Sequence, residues 1–309
     1  MALPKFAFFN GEIVPYENAK VSVLTHGLNY GTAVFGGLRG YWDAEQQELF
    51  LFRPFDHYRR FLNSSKLLLM KFDETPESLV QKTIQLLHKE NYQCDVYIRP
   101  LAYKADEIIG VKLHGLKDEF SIVAMPSGKY IVNDTSAHVT ISSWRRVDDN
   151  MIPARGKVSG AYVNSALAKT DAVQAGFDEA LVMNQDGHLS EGSAMNIFMI
   201  RGGVVVTPPI TDNILEGITR KAVIELICNE IGMPFVERPI DRTEVYLCEE
   251  FFMTGTAAEV VAVTRVDYRP IGNGVMGPVT ARLRELFEAA VRCRLPTYCS
   301  WNVPVYQKS

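Results

Sequence analysis

A polar stretch without periodicity, Ser127 to Ala137 (SGKYIVNDTSA), separates two halves of this chain whose hydrophobic patterns differ. Upstream of it, Phe6–Phe9 and Glu12–Val14 flank Asn10-Gly11, a favoured two-residue hairpin turn. Glu48 to Phe52 reads as a short strand, Pro54 opens a helical stretch to about Met70, and Pro76 opens a second through His88. Asp95 to Tyr103 and Phe120 to Met125 read as strands, so strands with two adjacent helices predict an α+β unit. Downstream, a strand over His138–Trp144 and a helix over Gly160–Ala175 lead into short strands at 179–183, 194–200 and 204–207. An amphipathic helix over Gly217–Ile231, strands at 235–237, 250–254 and 260–265, and a helix over Gly277–Cys293 follow, an α/β pattern. The predicted organisation is a domain at 1–126, a linker at 127–137 and a domain at 138–309; 309 residues suit two domains at roughly 150 each.

The composition narrows the function class. Hydrophobic residues make up 47% and charged residues 22%, which excludes fibrous and disordered chains, and a formal charge of −4 argues against a nucleic-acid or anionic-membrane partner. The apolar run near the start is broken at Asn10-Gly11, too early for a secretory signal, and no run approaches a membrane span, so a cytoplasmic location is expected. The five cysteines are odd in number and form no CxxC pair; reduced, mostly buried thiols are predicted, with a labile Cys293–Cys299 bridge as the lesser alternative. No metal site is expected. Val34-Phe-Gly-Gly-Leu-Arg-Gly40 lacks the glycine spacing of a dinucleotide loop, and no phosphate-binding P-loop occurs.

Two places carry charge that packing does not require. Lys157 stands in Pro153-Ala-Arg-Gly-Lys-Val-Ser-Gly-Ala-Tyr162, between glycines and just before a helix. A lone lysine is ordinarily a solvated surface group, and its functional reading is an amine held for a Schiff base. Glu191 stands in Leu189-Ser-Glu-Gly-Ser-Ala-Met-Asn-Ile-Phe198, a small-residue turn running into an apolar strand. Alone it reads as a surface turn; Lys157, Tyr162 and a carboxylate 34 residues after the lysine form a sharper combination.

These stretches resemble the fold-type IV pyridoxal phosphate enzymes, most closely the branched-chain amino-acid aminotransferases. The resemblance runs from Phe9-Asn-Gly11 to about Leu286 and rests on six ordered blocks. They are His26-Gly-Leu-Asn-Tyr30-Gly-Thr-Ala-Val-Phe35, Tyr97-Ile-Arg99-Pro-Leu, Lys157 with Tyr162, Ser190-Glu191-Gly192 with Asn196-Ile-Phe, Gly217-Ile218-Thr219-Arg220, and Thr254-Gly255-Thr256-Ala257-Ala258-Glu259. The resemblance implies a two-domain fold like that of D-amino-acid aminotransferase, mixed α+β and α/β, with the active site at the domain interface. Pyridoxal 5′-phosphate would form a Schiff base with Lys157, whose amine then shuttles a proton and so needs a lowered pKa. Glu191 would pair with the pyridine nitrogen and keep it protonated, and Tyr162 would bond the cofactor 3′-oxygen. Arg53, the helix start at Gly217, Ile218 and Thr219, and the cradle at Gly255 and Thr256 would hold the phosphate, with Leu215 against the ring. Taken singly, Thr219 is a helix cap, Arg53 a surface charge and Leu215 core.

On the substrate side the resemblance implies that Tyr97 helps hold the α-carboxylate and Arg99 the γ-carboxylate of glutamate or 2-oxoglutarate. Ala257 and Ala258 would offer backbone N–H groups, and Tyr30, Phe35, Arg39 and Tyr130 would line the pocket or its entrance, suiting leucine, isoleucine and valine. Tyr30 and Phe35 also have an ordinary reading as core aromatics. Two positions depart from the family: Gly36 stands where a glutamate is usual and Ser127 where a bulky aromatic is frequent. They suggest a freer backbone and a wider pocket, and keep open an (R)-amine or D-amino-acid transaminase. A lyase acting on aminodeoxychorismate and a non-enzymatic binding protein are the more distant alternatives; the latter leaves Lys157 and Glu191 unexplained. The family further implies a homodimer or higher homo-oligomer in which a partner loop at Ile109-Gly110-Val111 covers the pocket. The tail beyond Leu295 departs from the family, and its aromatics Tyr298, Trp301 and Tyr306 are expected only to cap the core.

Overall fold

The computed structural model describes residues 3–128 and 130–307. In chain order its main elements are β1 (Phe6–Phe9), β2 (Glu12–Pro15), α1 (His26–Tyr30), β3 (Ala33–Phe35), β4 (Leu38–Asp43), β5 (Glu48–Phe52), α2 (Pro54–Leu67), α3 (Pro76–Glu90), β6 (Val96–Lys104) and β7 (Asp118–Pro126). After 128–136 come β8 (Ala137–Arg145), α4 (Tyr162–Gln174), β9 (Glu179–Met183), β10 (Leu189–Gly192), β11 (Asn196–Arg201), β12 (Val204–Thr207) and α5 (Ile218–Leu226). The chain ends with β13 (Phe235–Glu237), β14 (Glu250–Gly255), β15 (Glu259–Val266), β16 (Arg269–Pro270), α6 (Pro278–Val291) and β17 (Asn302–Pro304).

Two units form. The described residues of Met1–Gly128, Gly156–Gly160 and Ala289–Ser309 make the first, and those of Lys129–Arg155 and Ala161–Glu288 the second. The predicted division differs at two places. Gly156–Gly160, with Lys157, belongs to the first unit, and so does the tail from Ala289, although the sequence pattern puts both in a domain at 138–309. Long-range pairing is the cause: Val158 bridges to Val34, Phe35 donates its N–H to the Lys157 carbonyl at 3.0 Å, and β17 adds to the sheet edge at β5.

The first unit holds an antiparallel sheet in the order β17-β5-β4-β6-β7-β1-β2, with β3 also on β6. Its β1–β2 turn is left-handed at both Asn10 (φ 51°) and Gly11 (φ 87°), the backbone that the Asn-Gly pair favours. Helix α3 begins with a capping box between Thr75 and Ser78, and α2 packs on it with the Tyr58 hydroxyl on Thr83. Leu38, Leu49, Leu51, Tyr58, Leu79 and Ile98 are fully buried. Along β6 the burial alternates, so Tyr97 and Arg99 share the less buried face.

Charged clips fasten the tail to this unit. The Glu48 carboxylate accepts the N–H groups of Val305, Tyr306 and Gln307 at 2.7–2.9 Å, and Arg292 grips Asp95 through two bonds of 2.9 and 3.0 Å. Asp43 takes the Arg294 guanidinium at 2.7 Å; burial alone would raise its pKa, but Arg294 and the Gln46 and Glu45 N–H groups hold it at about 2. The cysteines differ from expectation. Cys293 and Cys299 form a disulfide, because the left-handed Cys293 (φ 56°) and the 3-10 turn Pro296–Trp301 bring their Cα atoms to 4.6 Å. Cys94 and Cys228 are free and exposed, and Cys248 is free and buried.

The second unit holds a mixed sheet in the order β10-β9-β8-β15-β14-β11-β12-β13, with β16 on β15. Strand β8 runs parallel to β9 and β15, and α4 makes the β8–β9 crossover, covering Phe177, Ala180 and Val182 with Ala168 and Ala172. The larger core lies around Leu181, Ile197, Met199, Phe251, Met253 and Val261. Helix α5 continues into a π-helical turn, Ile227–Ile231, closed by the left-handed Gly232, so the predicted helix at 217–231 is one rod with a change of winding.

Candidate active site

Lys157 is placed by its backbone. Its N–H donates to Ser64 Oγ of α2 at 3.2 Å, its carbonyl accepts from Phe35, and Gly31 and Gly160 touch closely enough that a Cβ on Gly31 would lie 3.0 Å from the Gly160 Cα. The half-buried side chain then sets its Nζ 5.0 Å from the Phe35 ring centre. Arg99 also lies against that ring, 4.5 Å from the Phe35 centroid, and donates to the Tyr97 hydroxyl at 2.9 Å. Lys157, Phe35, Tyr97 and Arg99 are thus brought together within the first unit.

Arg53 stands between β5 and α2 with a left-handed backbone (φ 43°) and is buried. One turn on, His57 is 1% exposed, and both its ring nitrogens are without a hydrogen-bond partner among the described residues. Burial, then the charges of Arg60, Lys157 and Arg53, push its pKa well below the usual imidazole value. The surroundings of Arg53 and Lys157 therefore gather cations with no histidine charge added. Such a cluster suits an anion.

The remaining first-unit candidates are anchored otherwise. The Tyr30 hydroxyl accepts the Gly110 N–H at 3.0 Å, and His26 Nε2 bonds the Gly110 carbonyl at 2.9 Å. The loop at 109–111 is thereby pinned at its centre, while Ile109 and Val111 are 87% and 86% exposed. Arg39 is buried, 3.7 Å from the Asp95 carboxylate and over the Tyr41 ring. Gly36 does not loosen the backbone: its N–H bonds the Pro100 carbonyl at 2.8 Å, and a Cβ there would lie 2.5 Å from the Pro100 ring. A Cβ on Gly37 would lie 2.3 Å from the Tyr97 hydroxyl. These glycines are close-packing positions, Gly36 against Pro100 and Gly37 against Tyr97, which corrects the expectation of a freer segment.

In the second unit Glu191 is buried at the end of β10. One carboxylate oxygen pairs with Arg146 at 2.9 Å; the other accepts from Asn196 Nδ2 and the Leu215 N–H, each at 3.1 Å. Asn196 also donates to the Leu215 carbonyl at 2.9 Å and lies opposite Thr254 in the β11–β14 register. A Cβ on Gly217 would lie 2.1 Å from Asn196 Oδ1, so only glycine lets α5 begin this close. Ile218 and Thr219 form its first turn, both buried. Gly255 ends β14, Thr256–Ala258 make the turn, and Glu259 (φ 60°) closes it. Glu191, Leu215, Gly217 and the end of β14 thus meet around Asn196. Tyr162 is half-buried at the first residue of α4, and Tyr130 is exposed with Lys169 Nζ 5.9 Å from its ring. Asn196 lies in a family block without a role of its own, and Arg146 and His57 carry no separate signal in the sequence. Each is defined by a partner distant in the chain or by burial.

Residues 34–266 match the amino-transferase class IV family. The chain belongs to the class IV aminotransferases. A probable branched-chain-amino-acid aminotransferase of Aquifex aeolicus is 46% identical over 303 residues, covering 98% of this chain and 97% of that protein. Among solved structures, the branched-chain aminotransferase of Thermoproteus uzoniensis with norvaline is similar at a TM-score of 0.94, with 38% identity over 98% of this chain and 100% of that one. The branched-chain amino acid aminotransferase of Thermobaculum terrenum in its PLP-form gives a TM-score of 0.94 and 37% identity, covering 99% of this chain and 100% of that one. The two-domain α/β fold of this aminotransferase is accordingly that of fold type IV. Among its described residues no helix is long and apolar enough to cross a membrane, and no cluster of three His, Cys, Asp or Glu residues suits a metal ion.

Proposed function

We propose that this aminotransferase uses pyridoxal 5′-phosphate to exchange the amino group of leucine, isoleucine or valine with 2-oxoglutarate. The observation that carries the reading is the Lys157–Phe35–Tyr97–Arg99 cluster: an amine beside an aromatic wall, with a hydrogen-bonded phenol and guanidinium on the same strand face. The names of the similar proteins support it.

The residues present fit the cofactor. In the first unit the cationic surroundings of Arg53 and His57 suit its phosphate; in the second unit the start of α5 at Gly217, Ile218 and Thr219 and the turn at Gly255 and Thr256 present N–H groups of the kind that suit an anion. Bound pyridoxal phosphate supplies an electron-withdrawing ring that stabilises negative charge at the substrate α-carbon. Glu191 holds a proton at the ring nitrogen, and Arg146, Asn196 and the Leu215 N–H hold Glu191. Tyr162 orients the ring through its 3′-oxygen, and Leu215 packs on its face. Lys157 carries the cofactor and moves the proton at the α-carbon. Tyr97 with the N–H groups of Ala257 and Ala258 binds the α-carboxylate, and Arg99 the γ-carboxylate. Tyr30 and Phe35 wall the side-chain pocket, and Tyr130 stands at its entrance. Arg39, engaged with Asp95, shapes strand β4.

The packing of Gly36 on Pro100 and of Gly37 on Tyr97 favours an amino-acid donor over a bulky amine, because it fixes Tyr97 for a carboxylate. A panel of amino donors read by half-reaction tests this. Leucine is expected to turn over at least about a hundredfold faster than (R)-1-phenylethylamine, the scale of an unmet buried polar contact. Comparable rates would defeat the carboxylate assignment, and pyruvate release without an acceptor would turn the reading towards a lyase.

We also propose a homo-oligomer. Val23, Leu24 and Leu28, at or beside α1, and Ile109 and Val111 are exposed, and Thr25 pairs with Glu107 between these two segments. Such an apolar set suits a second copy of the chain. A monomer by sedimentation at micromolar concentration would remove this part. The cytoplasm is the proposed compartment, since Cys94, Cys228 and Cys248 are free thiols; the tail disulfide is then the exception, and fractionation decides.

A further inference from the structure

The tail beyond Leu295 reaches the phosphate arginine. Trp301 lies with its ring centre 3.9 Å from the Arg53 guanidinium carbon, and its carbonyl accepts the Arg53 N–H at 2.6 Å. Arg53 is also 3.6 Å from Asp56. One residue therefore contacts Arg53 twice, at the side chain and at the backbone. The backbone contact matters because Arg53 is left-handed, a conformation that non-glycine residues keep only where the surroundings impose it.

Trp301 is itself held on several sides. Its ring meets Tyr298 at 4.4 Å and Phe52 at 6.0 Å between centroids. The next residue, Asn302, pairs with Phe52 in the β17–β5 register and donates its side-chain amide to the Ala290 carbonyl at 2.8 Å. The Cys293–Cys299 bridge closes the turn that carries Trp301. A capping role alone would need only the aromatic packing. It would not need the indole face laid on a buried guanidinium.

We propose that Trp301 is a positioning residue for cofactor phosphate: it fixes the Arg53 backbone and holds the guanidinium against its indole ring. This rests on the reading of Arg53 as the phosphate arginine. Stacking on an aromatic face offsets part of the cost of burying the charge.

The test compares the affinity of the apoenzyme for pyridoxal 5′-phosphate and for pyridoxal, followed by the absorbance change on binding. Trp301→Leu is expected to weaken pyridoxal phosphate about tenfold, the scale of a desolvated cation–π contact, and pyridoxal hardly at all. Trp301→Phe keeps a ring and is expected to lose about threefold, again for the phosphate ester alone. If Trp301→Leu does not accumulate as folded protein, Trp301→Phe carries the comparison. A purely structural role would weaken both ligands alike, and that result, or no change in either variant, overturns the proposal. Arg53→Gln is measured beside them. If it leaves the preference for the phosphate ester intact, the phosphate reading of Arg53 has failed. If it abolishes the preference while both Trp301 variants keep it, the role of Trp301 alone is overturned.

Discussion

Lys157→Ala is expected to lower the rate of transamination by at least about 10⁴-fold, because one side chain is asked to do two things. On the proposed reading it anchors the cofactor covalently, and its amine moves the proton at the α-carbon. A positioned acid–base group alone contributes roughly 10²–10⁴-fold, and the loss of covalent catalysis adds to that. The fold should survive. The bonds that seat this segment are the Lys157 N–H to Ser64, the Lys157 carbonyl to Phe35 and the Val34–Val158 bridge, and alanine keeps all three. The melting temperature should therefore hold. Single-turnover absorbance with leucine measures the rate, and a thermal melt on the same sample verifies the fold. Added small primary amines should restore part of the proton transfer. A variant within tenfold of the parent rate would show that another group carries the proton, and the assignment of Lys157 would be lost.

What the sequence shows, and what it hides, follows the range of the physical cause. The Asn10-Gly11 turn, the helices opened by Pro54 and Pro76, and the strands at 48–52, 179–183, 204–207 and 235–237 are set by neighbours a few residues away, and the structure has them there. The segment from α1 to β4 is not legible in this way. A five-residue helix with Leu28 exposed shows no period, and Gly40 within β4 looks like a turn until a Cβ there is seen to meet Val96 at 2.8 Å. The placing of Lys157 with the first unit depends on pairing with β3 and α2, which periodicity cannot report. The family blocks single out Lys157, Tyr97, Arg99 and Glu191, residues expected to face ligands. Of the groups that hold such residues they include Asn196 but not Arg146 or Trp301, because Arg146 is one of many arginines until it is buried against Glu191 and Trp301 is a tail aromatic until it lies on Arg53. The tail disulfide is the lesser reading of the sequence for the same reason: two cysteines six residues apart need a particular turn before they meet.

Glu191→Gln is expected to slow the half-reaction with leucine by about two orders of magnitude or more, close to 3 kcal/mol of barrier at roughly 1.36 kcal/mol per factor of ten. On the proposed reading the carboxylate keeps a proton on the ring nitrogen, and a neutral amide could not. The surroundings add a second effect. Arg146 is buried against one oxygen of Glu191, and Asn196 and the Leu215 N–H donate to the other. An amide can satisfy only part of this donor set and leaves Arg146 with no opposing charge at that site, which costs on the order of 3–5 kcal/mol of stability for a buried pair. Rate and stability therefore fall together in the single variant, and a slow enzyme would not by itself establish the electronic role. Arg146→Met combined with Glu191→Gln separates them. Replacing both members of a buried pair by less polar groups is often neutral, so the double variant should regain most of the lost thermal stability. The rate should stay near that of Glu191→Gln, since no anion has been returned to the ring nitrogen. A double variant that recovers the parent rate along with the parent stability would mean that Glu191 serves only to hold Arg146 and the Asn196 bridge, and the ring nitrogen would need another partner.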